Sequence, residues 1–154
     1  MKIVKFLVVF LIINFGGLAL GRWLMDNGPS SQWYLDLNKA PWTPPGWVFG
    51  VAWTTIMICF SIYLAFLFKD YNSRYLRLLF SIQVLLNVIW NYLFFNLHQV
   101  SLGLLVIGAL TLVLFYFFFK YRIDSIKYIR YLLLPYMIWL CIATSLNAYI
   151  LLYN

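Results

Sequence analysis

Five apolar stretches, each long enough to cross a bilayer as a helix, are separated in this 154-residue chain by short charged or proline-rich connections. A hydrocarbon core about 30 Å thick takes roughly 20 residues of helix to span. Segments 3–24, 47–68, 76–97, 102–119 and 128–152 each come close to that length, and their interiors hold no Lys, Arg, Asp or Glu. With 65% hydrophobic residues, 10% charged residues and a mean hydropathy of +0.88, the chain cannot cover a soluble globule with polar surface. The expectation is an all-α integral membrane protein. It has one domain over 1–154, a bundle of five transmembrane helices with a connecting loop at 25–46, and no room for a separate soluble module. Any function has to be carried between the helices or in that loop.

The net charge of +7 does not point to nucleic acid, because the basic residues collect by side rather than in a stripe. With the N-terminus on the cytoplasmic side, Lys2, Lys5, Lys69, Arg74, Arg77, Lys120, Arg122, Lys127 and Arg130 face inward, against Arg22 and Lys39 outward. The positive-inside rule therefore predicts a multi-pass protein of the cell membrane with N-terminus inside and C-terminus outside, the 25–46 loop and the turn at His98 facing out. A cleaved signal peptide is the competing reading of the first segment, since Ala19-Leu20-Gly21 resembles a cleavage site. The apolar run from Phe6 to Leu20 is at the upper limit for such a peptide, and Gly17 and Gly21 form the small-xxx-small spacing of helix contacts, so the segment is read as a span.

Much chemistry is excluded by what the chain lacks. It contains no Glu, and its four Asp residues (Asp26, Asp36, Asp70, Asp124) fall in loops or at helix ends, which leaves no paired carboxylates for acid–base work. His98 is the only histidine, and Cys59 and Cys141 stand alone in different spans, so neither a nucleophilic triad nor a metal centre has its parts. Ion-coupled transport marks itself by ionisable groups inside the membrane, and an odd number of spans does not suit a simple inverted repeat.

What the chain does carry is aromatic: 21% of residues are Phe, Trp or Tyr. Trp23, Trp33, Trp42 and Trp47 gather at one end of the first two spans, where an interfacial belt is expected. Trp53, Trp90 and Trp139 lie deeper. At helical spacing Gln83, Asn87, Trp90 and Phe94 share a face, as do Tyr136, Trp139, Ala143 and Asn147, and as do Phe49, Trp53, Ile56, Met57 and Phe60. Amides cannot face lipid unsatisfied, so these faces should turn inward. There, Gln83, Asn87, Asn91 and Asn147 either glue helices together or orient a large, flat, mostly apolar ligand held by stacking. The stretch Trp33-Tyr34-Leu35-Asp36-Leu37-Asn38-Lys39-Ala40-Pro41-Trp42-Thr43-Pro44-Pro45-Gly46 is too proline-rich for a helix interior and too aromatic for a flexible linker. It predicts an ordered lid over the helix ends.

At these residues the chain resembles the TspO, or tryptophan-rich sensory protein, family, which includes the mitochondrial translocator protein. One signature runs from Trp33-Tyr34 through Lys39, Pro41-Trp42, Pro44-Pro45, Phe49 and Trp53. A second is Gln83, Leu86-Asn87, Trp90-Asn91 and Phe94-Phe95, and a third Pro135-Tyr136, Trp139, Ala143, Leu146-Asn147 and Ile150. The resemblance implies a five-helix bundle, usually a homodimer, with a pocket under the first loop for tetrapyrroles such as protoporphyrin IX or haem, bound as ligand with no intrinsic cofactor and no metal site. Mitochondrial relatives also take cholesterol and synthetic ligands. Carried over by motif, Tyr34, Trp53, Asn87, Asn91, Phe94, Trp139 and Ala143 line the pocket, and the face readings add Met57 and Trp90. Some bacterial members are reported to promote light-dependent breakdown of protoporphyrin, for which Trp53 and Trp139 would be the catalytic residues. The departure is at the end: no Lys or Arg follows Tyr149, so a helix-5 sterol motif is missing. The implied function is a membrane tetrapyrrole sensor or scavenger. The alternative is a photo-oxidative enzyme degrading protoporphyrin, with transport of a hydrophobic ligand ranked below both.

Overall fold

The computed structural model describes residues 2–121 and 127–154. Arg122 and Asp124, counted above, lie outside them. The elements in order are α1 (Lys2–Leu24), a 3-10 turn (Gly28–Ser30), α2 (Gln32–Asp36), α3 (Gly46–Asp70), α4 (Arg74–Asn91) running into a π-helical turn (Tyr92–Asn96), α5 (Val100–Lys120), a 3-10 turn (Ile129–Leu133) and α6 (Leu134–Tyr153). No strand occurs among the described residues. Five of these segments are long and apolar enough to cross a membrane.

The spans close into a ring in which α1 packs on α3 and α4, α5 on α4 and α6, and α6 on α3. Within it α3 is the most enclosed: half of its central window is buried, against 11% for α1, whose outer face is left for lipid. Phe60, Tyr63, Leu64 and Leu67 of α3 are fully buried. In that apolar interior a polar atom must find a partner within the protein. Asn14 of α1 donates from Nδ2 to Ser61 Oγ of α3 at 2.8 Å, and Ser61 donates onward to the Met57 carbonyl at 2.6 Å. The small residues are used inside the chain. A side chain at Gly17 would meet Val84 and Val88 of α4, and one at Gly21 would come within 2.7 Å of Asn91 Nδ2. Ser61 and Ala65, small residues one turn apart on α3, are both buried.

Two stretches fold differently from the sequence reading. Trp33 to Asp36, assigned above to a non-helical loop, form the short helix α2. Ser31 caps it by accepting from Tyr34 N at 3.2 Å, so the proline argument applies only from Pro41 onward. The fifth segment, read as one helix from residue 128, is 3-10 to Leu133 and α-helical from Leu134. Pro135 has no N–H to donate and is tolerated in a first turn but not further in.

The lid is ordered by bonds to its own backbone and to α6. Lys39 Nζ donates to the carbonyls of Tyr34 (2.8 Å) and Leu35 (3.1 Å). Trp42 Nε1 donates to Ser145 Oγ at 3.1 Å, with its ring edge-on to Tyr149. Asn38 and Asn154 exchange two bonds: Asn38 N donates to Asn154 Oδ1 (2.8 Å), and Asn154 Nδ2 donates to Asn38 O (3.3 Å). Gly28 is needed at a close approach, for a Cβ there would stand 2.5 Å from Phe95 Cβ.

Candidate ligand-binding site

Beneath the lid, the end of α4 sets out a stack of rings. The π-helical turn, closed by Leu97 N donating to Tyr92 O at 3.0 Å, places Phe94 and Phe95 side by side after Trp90. Phe94 is 3% exposed and lies parallel to Trp90 with centroids 5.4 Å apart. From α2, Trp33 meets Phe94 edge-on at 5.6 Å and Tyr34 meets Phe95 at 5.3 Å. Edge-to-face and offset pairs of this kind suit the quadrupoles of the rings. Burial pushes the Tyr34 phenol up from its ordinary pKa, and Lys39 Nζ stands 4.9 Å over the ring centroid.

Across the bundle, α3 and α6 supply the second half. Trp53 packs edge-on to Tyr136 at 5.8 Å, and Trp139 edge-on to Phe49 at 5.1 Å. Trp139 is buried and Trp53 half-buried, and neither indole N–H has a hydrogen-bond partner among the described residues. Met57 is 1% exposed and belongs to the core; Ala143 is half-buried and packs against the same cluster.

The amides divide into glue and one exception. Gln83 Nε2 donates to Tyr136 OH at 3.0 Å, while its Oε1 is buried without a partner. Asn147 accepts from Trp90 Nε1 at 3.2 Å and donates to Val100 O at 3.0 Å, joining α4, α5 and α6. Asn91 Nδ2 donates to the Asn87 carbonyl at 3.0 Å. Of these four amides, only the Asn87 side chain, on a residue 8% exposed, makes no hydrogen bond among the described residues. A carboxamide pointing from α4 with both its donor and its acceptor uncommitted is costly in a bilayer unless something else uses it.

At the lid end the rings of Trp33, Tyr34, Trp90, Phe94 and Phe95 pack directly on one another. Two surface hollows are formed nearby, one of about 200 Å³ beside Asp26, Asn27 and His98 and one of about 240 Å³ between Leu24 and Tyr92. Neither is lined by Trp53, Trp90 or Trp139. Drug-sized ligands occupy clefts of roughly 300–1,000 Å³. In the described conformation the lid rests on the end of α4, Trp33 against Phe94 and Tyr34 against Phe95.

Sequence reasoning missed some of the framework. Trp33, read both as a belt residue and as the start of the lid, stacks on His98 at 4.1 Å and meets Phe94 edge-on, while Trp23 and Trp47 are exposed as belt residues are. His98 adopts a positive φ of 55° in the turn before α5, which sets its ring against the lid. Asn14 went unremarked, although an amide in the middle of an apolar span was signal enough. The described residues hold no cluster of His, Cys, Asp or Glu suited to a metal ion.

The order of these features along the chain has a counterpart in known proteins: the sequence model of the TspO/MBR family matches residues 7–153. The chain belongs to that family. Among TspO/MBR relatives, "Protein CrtK" of Rhodobacter capsulatus is 36% identical over 75% of this chain and 74% of its own. "Tryptophan-rich protein TspO" of Archaeoglobus fulgidus is 32% identical over 100% of this chain and 97% of its own. The human "Translocator protein" is 28% identical over 79% of this chain and 74% of its own. For this TspO/MBR protein the five-helix bundle expected from the resemblance is the fold observed.

Proposed function

We propose that this TspO/MBR protein binds a tetrapyrrole, protoporphyrin IX or haem, between the lid and the ends of α3, α4 and α6, and acts as a membrane sensor or scavenger of it. The observation that carries the reading is the uncommitted Asn87 carboxamide, on the face of α4 that also carries Trp90 and leads to Phe94. Such a site stacks a flat apolar ring and offers one polar contact to orient it. Because Trp33 and Tyr34 rest on Phe94 and Phe95, a ring entering beneath the lid has to lift them. Lid displacement is thus part of recognition. The same reading places the lid outside the cell membrane and the N-terminus in the cytoplasm. A homodimer would have to use surfaces other than the Gly17 and Gly21 stripe, which α4 already covers.

The test is a dark titration of protein in nanodiscs with protoporphyrin IX, following tryptophan quenching with inner-filter correction. Saturable binding, weakened in Trp53→Phe and Trp139→Phe, is the expected result. Linear quenching indifferent to both substitutions would mean partitioning into lipid and would overturn the site. The free indole N–H groups of Trp53 and Trp139 favour a second reading, oxidative breakdown of the bound, photoexcited ring by dioxygen. An indole beside the ligand can donate an electron without any acid–base pair. Illumination in air should then bleach protoporphyrin faster with the protein than without it. A rate unchanged in both Phe variants leaves binding alone.

A further inference from the structure

The two ends of the bundle differ in charge. At the end carrying the lid, the cations Arg22 and Lys39 are matched by Asp26 and Asp36. At the opposite end the described residues hold Lys2, Lys5, Lys69, Arg74, Arg77, Lys120, Lys127 and Arg130 against the single carboxylate of Asp70. Asp70 already pairs with Lys69 at 3.9 Å. Within this excess Arg130 stands apart. Its guanidinium carbon lies 5.0 Å from the Phe118 ring centroid and 5.2 Å from that of Tyr131. Its Nη2 donates to Tyr131 OH over a long 3.4 Å, and its Nε is buried with no partner. The neighbouring cations are dispersed: Arg77 turns back to Asn72 Oδ1 at 2.8 Å, and Lys127 lies against its own neighbour Tyr128.

We propose that Arg130, held against Phe118 and Tyr131, binds the phosphodiester of an anionic phospholipid headgroup. Two rings fix the plane of the guanidinium, so little rotamer freedom is lost when its fork takes two phosphate oxygens. A cation shielded at the membrane boundary with no carboxylate partner among the described residues needs an acceptor there. The surrounding excess of positive charge selects an anionic headgroup over a zwitterionic one. Exposed rings at the same level, Tyr71, Tyr75, Tyr128 and Tyr131, suit the headgroup layer. This surface is at the end of the bundle opposite the proposed ligand site and does not depend on what that site binds.

The experiment is native mass spectrometry of the full-length protein in detergent, titrated with phosphatidylglycerol and, in parallel, phosphatidylcholine of the same acyl chains. Wild-type protein should retain phosphatidylglycerol preferentially. R130Q should weaken that binding about fivefold, as expected for one cation near a headgroup. R130K should weaken phosphatidylglycerol binding as R130Q does, since an ammonium keeps the charge but not the fork. K127Q should change it by less than about twofold, the effect of one dispersed charge among many. Equal retention of the two lipids by wild type overturns the proposal. So does a K127Q effect as large as that of R130Q, or an R130K protein that behaves as wild type, because either would reduce the surface to diffuse charge. Thermal unfolding of each variant in the same detergent reports folding. Should R130Q fail to fold, the wild-type comparison and R130K still decide.

Discussion

Asn87 and Asn147 are the same side chain on facing helices, and their surroundings assign them different work. Asn147 completes bonds to Trp90 and Val100, so Asn147→Leu strands a buried N–H and a carbonyl. Stability should fall by about 1–3 kcal/mol for each group left unpaired. Asn87 gives up no side-chain bond, so Asn87→Leu should leave the unfolding midpoint in place while weakening protoporphyrin binding by about 0.5–1.5 kcal/mol, one net hydrogen bond. Parallel melts and titrations of the two variants check both statements, and a destabilised Asn87→Leu would return that residue to the glue. Truncation of Trp53 or Trp139 to Ala should cost binding more, about 1–3 kcal/mol each through lost stacking area. Tyr34 adds a pH dependence. Burial raises its pKa above the ordinary 10.0, so its contribution to holding the lid is complete below that value and is lost as the pH climbs through the raised one. Lid closure, followed by a fluorophore on the loop, should loosen in alkali in wild type and not in Tyr34→Phe.

Among the elements, those that cross the membrane were legible from length and apolarity alone, because the bilayer leaves a backbone few other ways to satisfy its hydrogen bonds. What was not legible depended on partners distant in sequence or on a single local bond. Ser31 turns residues 32–36 into α2 through one cap. Asn14 is explained only by Ser61, 47 residues away. Helical periodicity correctly turned Gln83 and Asn147 inward, but it had no means of telling which amide would be left free, since that is decided by the positions of Tyr136, Trp90 and the Val100 carbonyl. Gly21 shows how tightly α1 and α4 are matched. The lid offers a sharper test at this scale. Asn154→Ala removes both bonds to Asn38 without touching the site, so hydrogen exchange at Asn38 should accelerate and ligand should dissociate faster, with the bundle intact. Unchanged exchange would mean that Trp42 and Lys39 hold the lid without help.

For the molecule as a whole, charge decides which way up the bundle stands. The end with Lys2, Lys69, Lys120 and Arg130 carries eight cations among the described residues, and the lid end carries two. The expected outcome is that a reporter inserted at Asn72 is active only in the cytoplasm and one at Ser31 only outside. The reverse pattern would invert the proposed orientation and place the ligand entrance inside the cell. The lid also has a history in time. Residue 38 emerges from the ribosome 116 residues before the side chain that fastens it. Until α6 has entered the membrane the lid has neither Asn154 nor Ser145 to dock on, so the proposed ligand site is among the last parts of the protein to be completed.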